Sequence, residues 1–283
     1  MTTAASYTRF KVVPMTAAIG AEITGIDLKA PLDSETREEF QRALAEFLVL
    51  GFRDQWIDDD AQLALAECFG KPEVHPIRAA LGAPVVLHDI IDTEDSVPDR
   101  DGWHTDVTYM QRPPKAAVLR CETSPESGGD TLWANMQLAY DKLSGAMQEM
   151  IDGLTGHHAT ANGFIDYIRR HLPEEAVEKI MKLVGDGAHH PLVRTDPTTG
   201  RKTLFVDQSY LARIDGLPDE ESKFLLDFLA SRVQDVSIQC RYRWTPGAVV
   251  VWDETATQHS GAADHRGSAR TLRRCTIEGE VPA

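Results

Sequence analysis

Apolar residues recur along the chain at helical and strand spacings, and the alternation between the two predicts its elements. Phe40, Leu44, Phe47 and Leu48 share one helical face behind a capping Asp33 or Ser34, in a helix that Gly51 is expected to close. A shorter helix is expected over 59–69, stopping at Gly70. Others are expected over 136–151, over 173–184 with Pro173 in the first turn, and over 218–233 behind Pro218. Residues 20–28 read as a strand and turn, and 115–122, 130–134, 203–207, 237–244, 247–253 and 270–277 are strand-like runs rich in Val, Ile, Thr, Trp and Tyr. Strands precede, separate and follow the helices without a βαβ rhythm. That order favours a mainly antiparallel β core with flanking helices over a doubly wound sheet. No linker or repeat breaks it, so 1–283 reads as one domain. The stretch 157–190 is polar and weakly periodic, and reads as an insertion lying over a site.

Charge narrows the partners. Lys and Arg total 29 against 44 Asp and Glu, a net charge of −15, so general binding to nucleic acid is not expected, although a small basic pocket is compatible with it. No apolar run approaches the roughly 18 residues needed to span a bilayer. The opening Met1-Thr2-Thr3-Ala4-Ala5 lacks the basic and apolar regions of a signal peptide, so a soluble cytoplasmic protein is expected. Cys68, Cys121, Cys240 and Cys275 form no C-x-x-C pair and read as buried, reduced thiols.

Ten histidines invite false clusters, yet His104-Thr105-Asp106 is the sole His-x-Asp or His-x-Glu of the chain. Its neighbours Trp103 and Val107-Thr108-Tyr109 suggest a strand, in which residues two apart face the same side and can converge on one ion. His259 is the best third ligand, because it follows the apolar strand Val249-Val250-Val251-Trp252 through a short polar turn. Two imidazoles and a carboxylate make the facial triad of non-haem Fe(II) oxygenases, and zinc accepts the same set. His157-His158 and His189-His190 read as loop-edge or strand-start pairs, and His88, His171 and His265 receive no role.

The last strand adds a second feature. Arg270, Leu272, Arg274 and Thr276 share one face by the period of two, beginning eleven residues after His259. Two arginines on one face either pair with surface acids or look into a pocket that receives anions, for which guanidinium is suited. Arg273, opposite, reads as solvated or structurally paired. Ser127-Gly128-Gly129-Asp130-Thr131 is a turn entering a strand; it lacks a phosphate-loop lysine, and its Thr131 hydroxyl is a possible anion contact.

Together Trp103-His104-Thr105-Asp106-Val107-Thr108-Tyr109, Gly128-Gly129-Asp130-Thr131-Leu132-Trp133, His190-Pro191-Leu192-Val193-Arg194 and Trp252-Asp253-x5-His259 with Arg270 resemble the taurine dioxygenase family, in order from Phe10 to the C-terminus. The resemblance implies a double-stranded β-helix (a jelly roll with a cupin-like core). It implies Fe(II) held by His104, Asp106 and His259, and 2-oxoglutarate as cosubstrate, its far carboxylate on Arg270 and Thr131, with O2 as oxidant. Oxidative decarboxylation to succinate and CO2 then accompanies hydroxylation of a primary substrate, with iron carrying the hard chemistry. A homo-oligomer, dimer or tetramer, is implied as well.

By the same resemblance, His75 and Arg274 take the anionic head group, Val107 an apolar wall and Tyr210 an aromatic one. Arg78 and Arg100 depart from the taurine enzymes, which carry an aromatic and a small polar residue there. Facing the pocket, they would repel the ammonium of taurine; on a loop, they would pair with Asp89, Asp92 or Asp99. The expected substrate is a small organic anion, a sulfonate or sulfate ester first and a phenoxyalkanoate or other carboxylate second. A non-catalytic, metal-dependent jelly-roll binding protein is the reading from another class, and a zinc hydrolase leaves the arginine face without a role.

Overall fold

The computed structural model describes residues 7–95, 102–159 and 164–283. The chain opens with β1 (Lys11–Pro14), β2 (Ala21–Thr24), α1 (Ser34–Phe47), β3 (Val49–Phe52), α2 (Asp59–Ala66), β4 (Pro72–Glu73), α3 (Pro76–Ala80) and β5 (His88–Asp92). Then follow β6 (Ala116–Thr123), β7 (Thr131–Asn135), α4 (Met136–Asp141), α5 (Gly145–Ile151), β8 (Thr155–His158), α6 (Phe164–His171), α7 (Glu174–Val184) and β9 (Ala188–Pro191). The last elements are β10 (Val193–Thr195), β11 (Lys202–Leu204), β12 (Leu211–Ile214), α8 (Asp219–Ser231), β13 (Gln239–Tyr242), β14 (Val249–Asp253), β15 (Thr257–Gly261) and β16 (Arg270–Ile277).

Among the described residues the largest sheet has eight strands in the order β1-β2-β3-β14-β6-β16-β4, with β5 also on β16. A three-stranded sheet, β13-β7-β15, lies on the other side of the core. All pairings are antiparallel except β2 with β3. The run Val249-Val250-Val251-Trp252 is apolar throughout because both faces of β14 are covered. Val249 and Val251 join Phe40, Phe52 and Val118 under α1 and α2. Val250 and Trp252 pack with Leu119, Trp133, Tyr242, Trp244 and Leu272. The four cysteines are buried and unbridged.

Several boundaries differ from the sequence expectations for local reasons. Helix α1 ends at Leu48, whose φ of 64° turns the chain left-handed while its N–H bonds Leu44. Gly51 therefore does not close the helix; it sits in β3, where a Cβ would come within 2.7 Å of the Tyr242 ring. The segment 136–151 splits, because the Ser144 hydroxyl caps a second helix through the Met147 amide. Helix α2 ends at Ala66, and the strand expected over 203–207 ends at Leu204. The stretch 157–190 is more regular than expected: α6 and α7 form a helical hairpin rooted in paired strands, with His157 opposite His189. Val177, Ile180 and Val184 recur on one face and pack with Ile168, Val107, Tyr109 and Tyr210.

Candidate active site

Crossing between the two sheets creates the site. At the end of β14 the Asp253 carboxylate accepts from the Thr255 amide (2.7 Å) and hydroxyl (2.6 Å), reversing the chain into β15. His259 lies mid-strand there, opposite Trp133 of β7. His104 reaches it through a reciprocal backbone pair, its amide donating to the His259 carbonyl at 3.0 Å and its carbonyl accepting from the His259 amide at 2.8 Å. The expected strand around His104 is absent: one isolated bridge holds it, and a turn follows at once. Asp106 therefore reaches the same point by a turn, not by strand alternation. Val107 pins that turn with φ of 43°, a left-handed conformation costly for a β-branched residue, at about 1–3 kcal/mol. The Thr105 hydroxyl ties the turn down through the Thr257 carbonyl at 2.9 Å.

His104 Nε2 lies 3.5 Å from Asp106 Oδ1, and His259 Nε2 lies 3.9 Å from the same oxygen. One ligand atom from each of the three buried residues falls within 4.8 Å of the others. Burial, and then the neighbouring His104, push His259 well below the ordinary imidazole range, so it is neutral with a lone pair to give. His104 Nδ1 faces the Gly102 carbonyl at 3.2 Å, which leaves Nε2 toward Asp106. The donor set, its burial and its convergence fit one divalent first-row ion with open positions.

Two carboxyls that sequence reasoning passed over shape this point. Glu254 accepts from the Asp106 amide at 3.3 Å and approaches His259 Nδ1 to 3.9 Å. Full burial pushes its carboxyl well above the usual range. Asp207 accepts from the Ser209 and Tyr210 amides (2.9 and 2.8 Å) and from the Thr108 hydroxyl (3.1 Å). Burial raises it to about 6 against those bonds and the nearby His104. His158 Nδ1 meets the same Thr108 hydroxyl at 2.9 Å, and His190 Nε2 meets the Thr108 and Met110 carbonyls at 2.9 and 3.0 Å. The base of the α6–α7 hairpin is thereby bonded to the turn carrying Asp106.

The arginines of β16 both face inward. Arg274 contacts the Asp106 carboxylate, stands 3.5 Å from Glu254 Oε1, and lies over the Trp252 ring at 5.4 Å. Arg270 donates Nε to Asp92 at 2.9 Å and Nη1 to the Gly129 carbonyl at 2.8 Å. That bond sets it beside the turn leading into Thr131, whose hydroxyl accepts from Trp244 Nε1 at 3.0 Å. His265, given no role from the sequence, contacts Asp92 at 3.1 Å. Arg273 points outward and pairs with Asp59 and Asp89, each at 2.7 Å.

Of the substrate candidates, His75 is buried with its ring 5.4 Å from His88, another residue left without a role. Arg78 lies beside them on α3 and donates to the Asp89 backbone carbonyl at 2.9 Å, not to the carboxylates of Asp89 or Asp92. Val107 and Tyr210 are buried together, with Tyr210 edge-on to His104 at 6.5 Å between ring centroids. Arg100 lies outside the described residues. None of Glu254, Asp207, Asp92 and His88 carries a spacing signal; the register of β5 on β16 brings His88 and Asp92 to the site, and the turns after β14 and β11 bring Glu254 and Asp207.

Residues 11–276 match the family model described as taurine catabolism dioxygenase TauD, TfdA family. An alpha-ketoglutarate-dependent sulfate ester dioxygenase of Pseudomonas putida is 34% identical over 286 residues, covering 100% of this chain and 94% of its own. An alkylsulfatase of Acinetobacter baylyi is 35% identical, covering 94% of this chain and 84% of its own. A crystal structure of a taurine dioxygenase from Burkholderia xenovorans superposes with a TM-score of 0.80 at 33% identity, covering 98% of this chain and 93% of that one. The His-Asp-His constellation, the inward arginines of β16 and a match along nearly the whole chain agree: this protein belongs to the TauD/TfdA family of taurine catabolism dioxygenases.

Proposed function

We propose that this chain is an Fe(II)- and 2-oxoglutarate-dependent dioxygenase that hydroxylates the carbon bearing a sulfate ester or sulfonate. The observation that carries the reading is the convergence of His104, Asp106 and His259 beside a strand whose two inward arginines, Arg270 and Arg274, lie four residues apart. Fe(II), held by those three residues, supplies the redox chemistry that couples decarboxylation of 2-oxoglutarate by O2 to hydroxylation. Arg270 and Thr131 grip the far carboxylate of 2-oxoglutarate. Arg274 and His75 orient the anionic head group of the primary substrate, and Val107 and Tyr210 wall the reacting carbon. Arg78, beside His75 and His88, adds positive charge that disfavours an aminated sulfonate such as taurine. Hydroxylation turns R–CH2–OSO3⁻ into R–CH(OH)–OSO3⁻; the carbon–oxygen bond to sulfate then breaks, leaving an aldehyde and hydrogen sulfate.

The chain forms one dioxygenase domain in this reading. It crosses from β6 to β7 and again from β14 to β15 to β16 between two facing sheets, which supports a double-stranded β-helix. The α6–α7 hairpin covers the site and excludes water. We place the protein in the cytoplasm as a homo-oligomer; no helix of the described residues is long and apolar enough to cross a membrane. Guanidinium grips a carboxylate as readily as a sulfate, so phenoxyalkanoates are the second reading for the same site.

A panel of taurine, alkyl sulfonates, alkyl sulfates and phenoxy acids, assayed for succinate with Fe(II), ascorbate and 2-oxoglutarate, tests it. Turnover of sulfates or sulfonates with sulfate or sulfite release is expected. Phenol release from phenoxy acids alone would replace the substrate assignment, and succinate from none of them would overturn the activity.

A further inference from the structure

Strand β5 sets a polar side chain opposite each inward arginine of β16. In the antiparallel register Asp92 faces Arg270 and His88 faces Arg274, with Ile90 opposite Leu272 between them. Directly opposed residues project from the same face of the sheet, so His88 stands beside Arg274 as Asp92 stands beside Arg270. The first couple is closed by an ion pair at 2.9 Å. In the second, β5 supplies an imidazole and no carboxylate, the acids near Arg274 being Asp106 and Glu254 from other elements; His88 is 8% exposed, and its Nδ1 has no hydrogen-bond partner among the described residues. His75 stands edge-on to it, and Arg78 completes the group. Burial first, and then the charges of Arg274 and Arg78, push both His75 and His88 down to about 3. Both are therefore neutral imidazoles, each able to present one N–H.

We propose that His88 is a specificity-determining residue: it donates an N–H to the third oxygen of an –SO3 head group whose other oxygens lie on Arg274 and His75, and so ranks sulfate esters and sulfonates above carboxylates. The inference rests on the reading given under Proposed function and narrows its substrate class. A planar guanidinium matches two oxygens, all that a carboxylate has, whereas an –SO3 group carries a third. A carboxylate would leave the buried His88 N–H unpaired, and a site built for a hydrogen bond discriminates against a ligand that cannot make it.

The test is calorimetric binding of hexyl sulfate and heptanoate, without O2, to the full chain loaded with Fe(II) and 2-oxoglutarate. Wild type is compared with His88→Ile and His88→Gln, and slow succinate formation without primary substrate checks that the iron site is intact. Replacement by isoleucine should weaken hexyl sulfate at least tenfold and heptanoate less than twofold, and glutamine should recover most of the loss. If isoleucine removes the background turnover, His88→Ala carries the same expectation. Equal losses for both ligands, or none, would overturn the role of His88 alone. Wild-type protein that neither binds nor oxidises hexyl sulfate would overturn the proposed substrate class together with it.

Discussion

At the scale of single residues, Asp106 is where the account concentrates. Its carboxylate meets Arg274 and faces both imidazoles, while its amide rests on Glu254. Asp106→Ala should lose iron and all 2-oxoglutarate decarboxylation without unfolding, checked by metal content, succinate assay and circular dichroism. Arg270→Ala should instead keep iron and raise the KM for 2-oxoglutarate at least tenfold, since a charge-assisted bond is worth about 1.5–3 kcal/mol. Normal saturation by 2-oxoglutarate in that variant would contradict the assignment. His104, Asp106 and His259 were legible because one short motif and one strand end name them, yet the stated route was wrong: a turn at Val107, not a strand, brings Asp106 in. Glu254, Asp207 and His88 were not legible. A chain with 44 acidic residues gives no reason to single out Glu254 or Asp207, whose importance comes from full burial beside the histidines.

At the scale of elements, the helical hairpin and β16 carry the most. Strand β16 was read from its period of two, residue for residue, because an eight-residue run alternating Arg, Leu and Arg has one way to place its apolar member inside. The hairpin was harder: charges are interspersed among its apolar positions, and only docking on Val107, Tyr109 and Tyr210 shows which face matters. Ile180 is fully buried in that contact, so Ile180→Ala should cost about 2–4 kcal/mol of local packing. The expected outcome is faster proteolysis within 157–190 and more succinate formed per substrate oxidised, with iron content unchanged. Unaltered coupling would contradict a covering role. Helix 136–151 was misjudged as one element because Ser144 favours capping over continuation, a competition that an apolar pattern does not register.

At the scale of the whole molecule, ion pairs lie on the outer face of the large sheet, while the neutral imidazoles of His75 and His88 are buried beside Arg274. Arg120 and Arg273 share Asp59 on the outer face of the large sheet, at 3.1 and 2.7 Å. Burial works against its ionisation, but these two arginines outweigh it and hold the Asp59 carboxyl below its ordinary value. Its contribution is thus present at neutral pH and is lost as pH falls through the folded-state pKa. Asp59→Asn should lower stability by no more than about 1 kcal/mol at neutral pH, and the difference should vanish in strong acid. His75 and His88 act over a higher range. Held near about 3 when folded, against 6.5 ordinarily, they bind fewer protons folded than unfolded between those values, so stability falls as pH drops below about 6.5. The double variant His75→Gln, His88→Gln should lose less melting temperature than wild type between about pH 7 and pH 5. The central claim, that organosulfur anions are opened by oxidation, is tested most directly by stoichiometry. With Fe(II), O2, 2-oxoglutarate and hexyl sulfate, the account predicts succinate and free sulfate in about equal amounts, and neither from Asp106→Ala. Sulfate released without consumption of 2-oxoglutarate would mean hydrolysis and would contradict it.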